Sequence, residues 1–343
     1  MVRVAVLGAG RIGKIHAANV AANSGAKLVV VADPFGDAAQ TLANELECDA
    51  SPDPVASIDR KDVDAVVIGT PTNTHIALML QAVKSRKAVL CEKPIDLDFA
   101  KADAAVTEIE QLGGRVMLAF NRRFDPASQR LRRSIDAGEI GDVRQVVITS
   151  RDPGLAPRDY LRVSGGIFRD MTIHDFDMAR FLLGEEPVEI SATASRLVDP
   201  TLAEFDDFDS VMIQMRTSTG RQCHINNCRE AVYGYDQRLE IFGSRGMLQN
   251  GNIHPTTVRR WGKHETEARE PLVPFFLERY ADAYRAELVA FFDAIAADAP
   301  MPVTPHDGRQ ALRLAEGALQ SVLTGRVVDL SSQPALERNG SRS

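Results

Sequence analysis

Residues 2–13, VRVAVLGAGRIG, restrict the fold more than any other stretch. An apolar run ends in glycine, as a strand buried on both faces does. The glycines Gly8, Gly10 and Gly13 then open a helical pattern, RIGKIHAANVAAN. A second strand pattern, KLVVVAD, closes on Asp33, twenty residues after Gly13. Gly-x-Gly-x-x-Gly alone is weak evidence. Placed between a strand and a helix, with an acid ending the next strand, it points to a dinucleotide site. Gly8 permits the tight turn, Gly10 lets backbone approach a pyrophosphate, and Gly13 lets helix pack on strand. The helix N-terminus faces the phosphates, which brings Arg11 and Ile12 into the cofactor set.

Strand and helix patterns keep alternating to about residue 120: VDAVVIGTP, THIALMLQAVKS, KAVLCEKP, DFAKADAAVTEIEQL and RVMLAFN. Such alternation predicts right-handed crossovers and a doubly wound parallel sheet. Beyond residue 140, successive strand patterns follow without crossover helices, from GDVRQVVITSRD to GMLQNGN. They predict a large, mostly antiparallel open sheet. The one clear helix among them is expected over 166–183, and two late amphipathic helices follow residue 270. The expected fold is an α/β Rossmann domain over 1–121 and an α+β domain over 122–330. The second serves substrate binding and oligomerisation, and its late helices are free to pack back on the first. The polar stretch 331–343 is expected to be disordered.

With 343 residues, 44% hydrophobic and 25% charged, the chain has the composition of a soluble two-domain protein. A net charge of −7 argues against nucleic acid or an anionic membrane as partner. No signal-peptide pattern and no long apolar run occur, so a cytoplasmic enzyme is expected. Cys48, Cys91, Cys223 and Cys228 lack paired spacing and fit reduced thiols.

Asp33 suits two ribose hydroxyls, while a 2′-phosphate would meet like charge, and ADPFGDAAQ supplies no Arg or Lys to offset it. NAD is therefore expected over NADP. GTPTNTH ends a strand on the same sheet edge, so Thr70, Pro71 and Asn73 join the cofactor contacts. His75 is read either as a contact or as a helix-start packing residue. CEKP places Glu92 and Lys93 at the next strand end, and both are counted with the cofactor set.

GGIFRDMTIHDFDMARFLLG holds Asp170 and His174 four residues apart, on one face of the expected helix. A structural pair, two metal ligands and a proton-transfer dyad are the candidate readings. The remaining histidines show no ligand spacing, so no metal is expected. A histidine suits proton acceptance from an alcohol at neutral pH. Asp177 is read as paired with Arg180 or touching substrate, and Asp175 as solvated.

These segments, with FNRRFDP and VYGYDQRLEIFG, resemble the glucose–fructose oxidoreductase/inositol dehydrogenase family over nearly the whole chain, to about residue 325. The later motifs are most similar to its branch that oxidises myo-inositol to 2-keto-myo-inositol with NAD. The resemblance implies Lys93, Asp170 and His174 as the catalytic trio. His174 would be the general base, Asp170 its orienter, and Lys93 the group polarising the hydroxyl. Arg122 or Arg123, and Tyr233, fall where the family lines its polyol pocket. Ser150 and Asp152 stand where many members carry His and Asn, so they are expected to touch substrate and to bear on its identity. The resemblance also implies a homotetramer or dimer. The alternatives are scyllo-inositol or a pyranose such as glucose as substrate, and a nucleotide-binding regulator without catalysis.

Overall fold

The computed structural model describes residues 1–331. The stretch expected to be disordered lies, but for Ser331, outside the described residues. Two compact units divide the chain. One comprises residues 1–124 and 283–312, the other 125–282 and 313–331.

In the first unit the chain runs through β1 (Val2–Leu7), α1 (Arg11–Ala21), β2 (Ala26–Ala32), α2 (Gly36–Glu45), β3 (Asp49–Ser51) and α3 (Pro54–Ile58). It continues through β4 (Ala65–Ile68), α4 (His75–Lys84), β5 (Ala88–Glu92), α5 (Phe99–Gln111) and β6 (Val116–Ala119). The six strands are all parallel, in the order β3-β2-β1-β4-β5-β6. Strand order therefore reverses between β1 and β4, the point where such sheets bind ligands at their carboxyl ends. β4 and β6 are buried at every residue, because helices cover both sheet faces. Residues 283–312 complete this unit. The Leu118 N–H donates to Val303 O at 3.2 Å. Gly308 lies so close to Ile95 that a Cβ would stand 2.8 Å from its Cδ1.

The second unit begins with α6 (Pro126–Asp136), β7 (Val143–Arg151), α7 (Arg158–Val163), α8 (Ile167–Asp170) and α9 (Ile173–Leu183). Then come β8 (Pro187–Ser195), β9 (Ser210–Thr217), β10 (Gln222–Cys228), β11 (Asp236–Gly243), β12 (Met247–Asn250), the hairpin β13 (Arg259–Gly262) and β14 (Glu265–Arg269), and finally β15 (Val328–Asp329). Seven strands form one sheet, β12-β11-β7-β10-β9-β8-β15. All neighbours are antiparallel except β7 and β10. Burial alternates along β9 and β10, so one face packs and the other is open.

The expected continuous helix over 166–183 is two segments. The Thr172 N–H reaches back five residues to Ile167 O at 2.9 Å, and Asp175 N then bonds Thr172 O, three residues back, at 2.8 Å. A wide turn followed by a tight one breaks the helix at Met171–Thr172, an irregularity that recurs at functional sites. Side chains hold the break. Thr172 Oγ1 donates to Asn227 Oδ1 at 2.7 Å, and Asn227 Nδ2 donates to Asp175 Oδ2 at 2.8 Å. Ser150 Oγ donates to Asp175 Oδ1 at 2.7 Å. Strand register explains the partners. Asn227, Ser150 and Gln237 stand opposite one another across β10, β7 and β11. A polar row thus lies beneath an otherwise apolar helix, and Thr172, Asn227, Asp175 and Ser150 are joined in it by hydrogen bonds.

Candidate active site

In the first unit the glycine loop is shaped by backbone contact. Gly8 has φ +101°, and a Cβ there would lie 2.7 Å from Gly69 O. A Cβ on Gly13 would lie 1.9 Å from Gly8 O, so only glycine fits. A Cβ on Gly10 would meet nothing within 4 Å, which leaves that backbone open to a ligand. Asp33 follows β2 directly. Its carboxylate accepts from Ala9 N at 2.7 Å and Phe35 N at 2.8 Å, tying the strand end to the loop. Arg11 is exposed beside the loop and Ile12 half-buried. An open Gly10 edge, a helix N-terminus without acids and a strand-end carboxylate fit the pyrophosphate and ribose of NAD.

Thr70, Pro71 and Asn73 form the turn after β4, where Thr70 Oγ1 meets Thr74 Oγ1 at 2.6 Å. His75 is buried, its ring between Pro94 O at 2.8 Å and Thr70 O at 2.9 Å. It clamps the Thr70 turn to the segment after Lys93. Burial holds its ring below the ordinary imidazole range despite the two carbonyls. Lys93 is half-buried at the end of β5 and precedes a cis peptide to Pro94. Glu92 turns inward, where Oε1 meets His16 Nε2 at 2.8 Å. The His16 ring packs edge-on against Tyr284, with centroids 5.7 Å apart. Glu287 is fully buried with no hydrogen-bond partner for either oxygen. Burial, and then Glu92, push its carboxyl well above the usual range. Cys91 is buried too, which pushes its thiol up and makes it a poor nucleophile. Arg122 is buried at 7% exposure, and Arg123 is paired with Asp307 at 2.9 Å.

In the second unit Asp170 ends α8, and His174 is the second residue of α9. The two flank the helix break rather than sharing one regular face. Tyr160 donates to Asp170 Oδ1 at 2.6 Å, and Arg229 Nη1 donates to Oδ2 at 3.2 Å. Arg229 also reaches Asp207 Oδ2 at 3.2 Å. Asp207 in turn accepts from Ile167 N and Phe208 N, both at 2.7 Å, so it fixes the start of α8. Gly165 and Gly166, at φ +84° and +83°, lead the chain into that cap.

Asp175 and Ser150 depart from expectation in this unit. Asp175 is not solvated but wholly buried in the row beneath α9. Asp177 is buried and pairs with Arg180 at 3.5 Å, as one of its two readings has it. Ser150 is 1% exposed and directs its hydroxyl to Asp175 and Gln237, which leaves it no surface to offer a substrate. Asp152 is half-buried just beyond β7, its N–H on Cys228 O at 2.9 Å. The Tyr233 ring is exposed. Its hydroxyl donates to Asp236 Oδ2 and accepts from Arg151 Nη1, both at 2.7 Å. Desolvation and the Asp236 contact raise its pKa. Tyr160, Arg229, Asp207, His16 and Glu287 carried no sequence signal, since each partner lies outside its own local pattern.

A surface cavity of about 560 Å³ in this unit is lined by Arg132, Arg221 and Arg245. Their guanidinium groups cap the carbonyls of Phe181, Leu183 and Gly138, so the cations are tied to helix ends.

Comparison with known proteins matches residues 2–120 to an oxidoreductase family, NAD-binding Rossmann fold, and residues 128–249 to the GFO/IDH/MocA C-terminal domain. Inositol 2-dehydrogenase of Rhizobium meliloti is 46% identical over 334 residues, which are 96% of this chain and 99% of that protein. The crystal structure of a myo-inositol dehydrogenase from Corynebacterium glutamicum superposes with a TM-score of 0.94 at 48% identity, covering 98% of this chain and 100% of that one. A scyllo-inositol dehydrogenase from Lactobacillus casei, solved with NAD(H) and scyllo-inositol, gives 0.89 at 27% identity, covering 97% and 100%. Matched in both domains and along nearly its whole length, the chain belongs to the GFO/IDH/MocA oxidoreductase family.

Proposed function

We propose that the protein is an NAD-dependent inositol 2-dehydrogenase, oxidising myo-inositol to 2-keto-myo-inositol. The carrying observation is near-half identity over the full chain to inositol and myo-inositol dehydrogenases, combined with a glycine loop and strand-end acid suited to NAD. Inositol 2-dehydrogenases reach 46% and 41% identity, above the 34% and 27% of two scyllo-inositol dehydrogenases, which favours myo-inositol over its isomer.

NAD, when bound, takes the hydride from the alcohol carbon. The chain supplies the rest. His174 accepts the hydroxyl proton as general base, and the products are the ketone, NADH and one proton. Asp170 orients the imidazole and stabilises its cationic form. Lys93 polarises the hydroxyl and stabilises developing alkoxide charge. Asp33 holds the ribose hydroxyls and repels a 2′-phosphate. Arg122 and Asp152 are the foremost candidates for further polyol contacts, since Ser150 and the Tyr233 hydroxyl are engaged within their unit.

The enzyme works in the cytoplasm as a homotetramer or dimer. Exposed Met212, Phe242 and Met247 on the seven-stranded sheet support association, with Phe242 and Met247 paired across β11 and β12. Among the described residues no helix is long and apolar enough to cross a membrane.

NADH formation across myo-inositol, scyllo-inositol and glucose, with NAD and NADP, tests the reading. The highest kcat/KM is expected for myo-inositol with NAD. A preference for scyllo-inositol or glucose would change the substrate, a preference for NADP would overturn the role of Asp33, and no turnover would favour a regulator.

A further inference from the structure

We propose that Tyr160 and Arg229 are positioning residues that hold Asp170 and limit how strongly it draws a proton onto His174. The inference rests on the reading above that Asp170 orients His174.

The geometry is that of a carboxylate gripped on both oxygens. Tyr160, from α7, donates to Oδ1 at 2.6 Å, while Arg229, just beyond β10, donates to Oδ2 at 3.2 Å. The Arg229 side chain is 2% exposed, Asp170 13% and Asp207 2%. A guanidinium stays charged even when buried. Asp207 is already fixed by the backbone N–H groups of Ile167 and Phe208. It neutralises Arg229 and aims the other arm of its fork at Asp170. One guanidinium between two carboxylates leaves a single net negative charge, which belongs to Asp170.

A carboxylate has about four lone-pair positions. The two donors occupy one on each oxygen, so the carboxylate's rotation, and with it the direction of the lone pairs it presents, is fixed by geometry. The donors also withdraw charge from Asp170. Without them the acid would stabilise the imidazolium more strongly, and His174 would hold its proton to higher pH. The charged and titratable groups that grip Asp170 include Tyr160 from α7 and Arg229 with Asp207 behind it, and the proposed reading adds His174 from α9. Arg169, next in the chain, is turned onto Glu316 and Gly165 O.

Alcohol oxidation needs the unprotonated base, so the acid limb of the kcat/KM profile reports this balance. Tyr160→Phe removes only the phenolic oxygen from a 48% exposed residue and leaves the core intact. It should move the acid limb upward by about half a pH unit or more, since a hydrogen bond to a charged group is strong but only partly transmitted to the imidazole. On the plateau above the limb, kcat should fall by less than about threefold. Arg229→Gln should shift the limb further, and Arg229→Lys should restore part of the shift. Should Arg229→Gln fail to fold, Tyr160→Phe and Arg229→Lys carry the test alone. A purely structural role would lower activity equally at all pH values and leave the limb in place, which would overturn the proposal.

Asp170→Asn separates the two layers. If it leaves kcat and the limb unchanged, the reading of Asp170 itself fails. If it collapses kcat while Tyr160→Phe leaves the limb in place, only the present inference fails. If both hold, Tyr160→Phe should shift nothing further in the Asp170→Asn background.

Discussion

The glycine loop at residues 8–13 and the segment 165–184 are positioned by opposite means. The loop is held by side chains that are missing: Gly8, Gly13 and Gly69 touch through backbone atoms, with Asp33 closing the turn. The segment is held by side chains that are present. Thr172, Asn227, Asp175 and Ser150 bind the helix break, and Asp207, Arg229 and Tyr160 bind Asp170. A site that must admit a phosphate chain needs bare backbone. On the proposed reading the second site aims a proton acceptor, and its carboxylate is held by donors on both oxygens. An added atom should therefore damage the first region, and a removed atom the second.

His174→Ala carries the largest expected effect. It should cut kcat by roughly 10²–10⁴-fold, the usual worth of a general base, while NAD affinity measured by calorimetry stays near wild type. Unchanged kcat would remove His174 from the mechanism. Gly13→Ala should do the reverse by adding one carbon. The new Cβ must displace Gly8 O from 1.9 Å, so NAD affinity should fall at least about tenfold, with a lower melting temperature from overpacking. Near-normal NAD binding would show that the loop can relax and would blur the contrast between the regions.

The smallest effect concerns Glu287, the counter-example in the first unit. Asp175 and Asp207 are buried acids with hydrogen bonds to both oxygens, whereas Glu287 is a buried acid with none. Its pKa is raised on folding. The folded state therefore keeps a proton that the unfolded state loses above its ordinary range near ~4.3. Stability is highest below that range and falls as pH rises toward the folded pKa, by on the order of 1 kcal/mol per pH unit. Glu287→Gln imitates the protonated acid. Its gain in melting temperature should be slight near pH 4 to 5 and grow toward pH 8. A gain independent of pH, or a loss, would mean that Glu287 is ionised in the folded protein.

What the chain disclosed in its sequence follows the same division. The loop was legible because glycine, strand end and acid act within one βαβ unit. Lys93, Asp170 and His174 are proposed from residue type and motif position. The helix break between the last two was not, because its anchors are Ser150, Asn227 and Gln237, which meet only through strand register. α6 escaped notice because it buries Leu131 between Ser128 and Ser134, too few apolar residues for a periodic signal. The strands β13 and β14 are mostly exposed, with five of their nine residues charged, so no apolar alternation marks them. Ser150 looked like a substrate contact because it sits where the family varies, but its place in the register turns it inward.

The central claim is hydride transfer from C2 of myo-inositol to NAD. Steady-state turnover of myo-inositol carrying deuterium at C2 tests it most directly. The account predicts NADH that carries the deuterium, whereas NADH free of deuterium, or no NADH from any cyclic polyol, would contradict it.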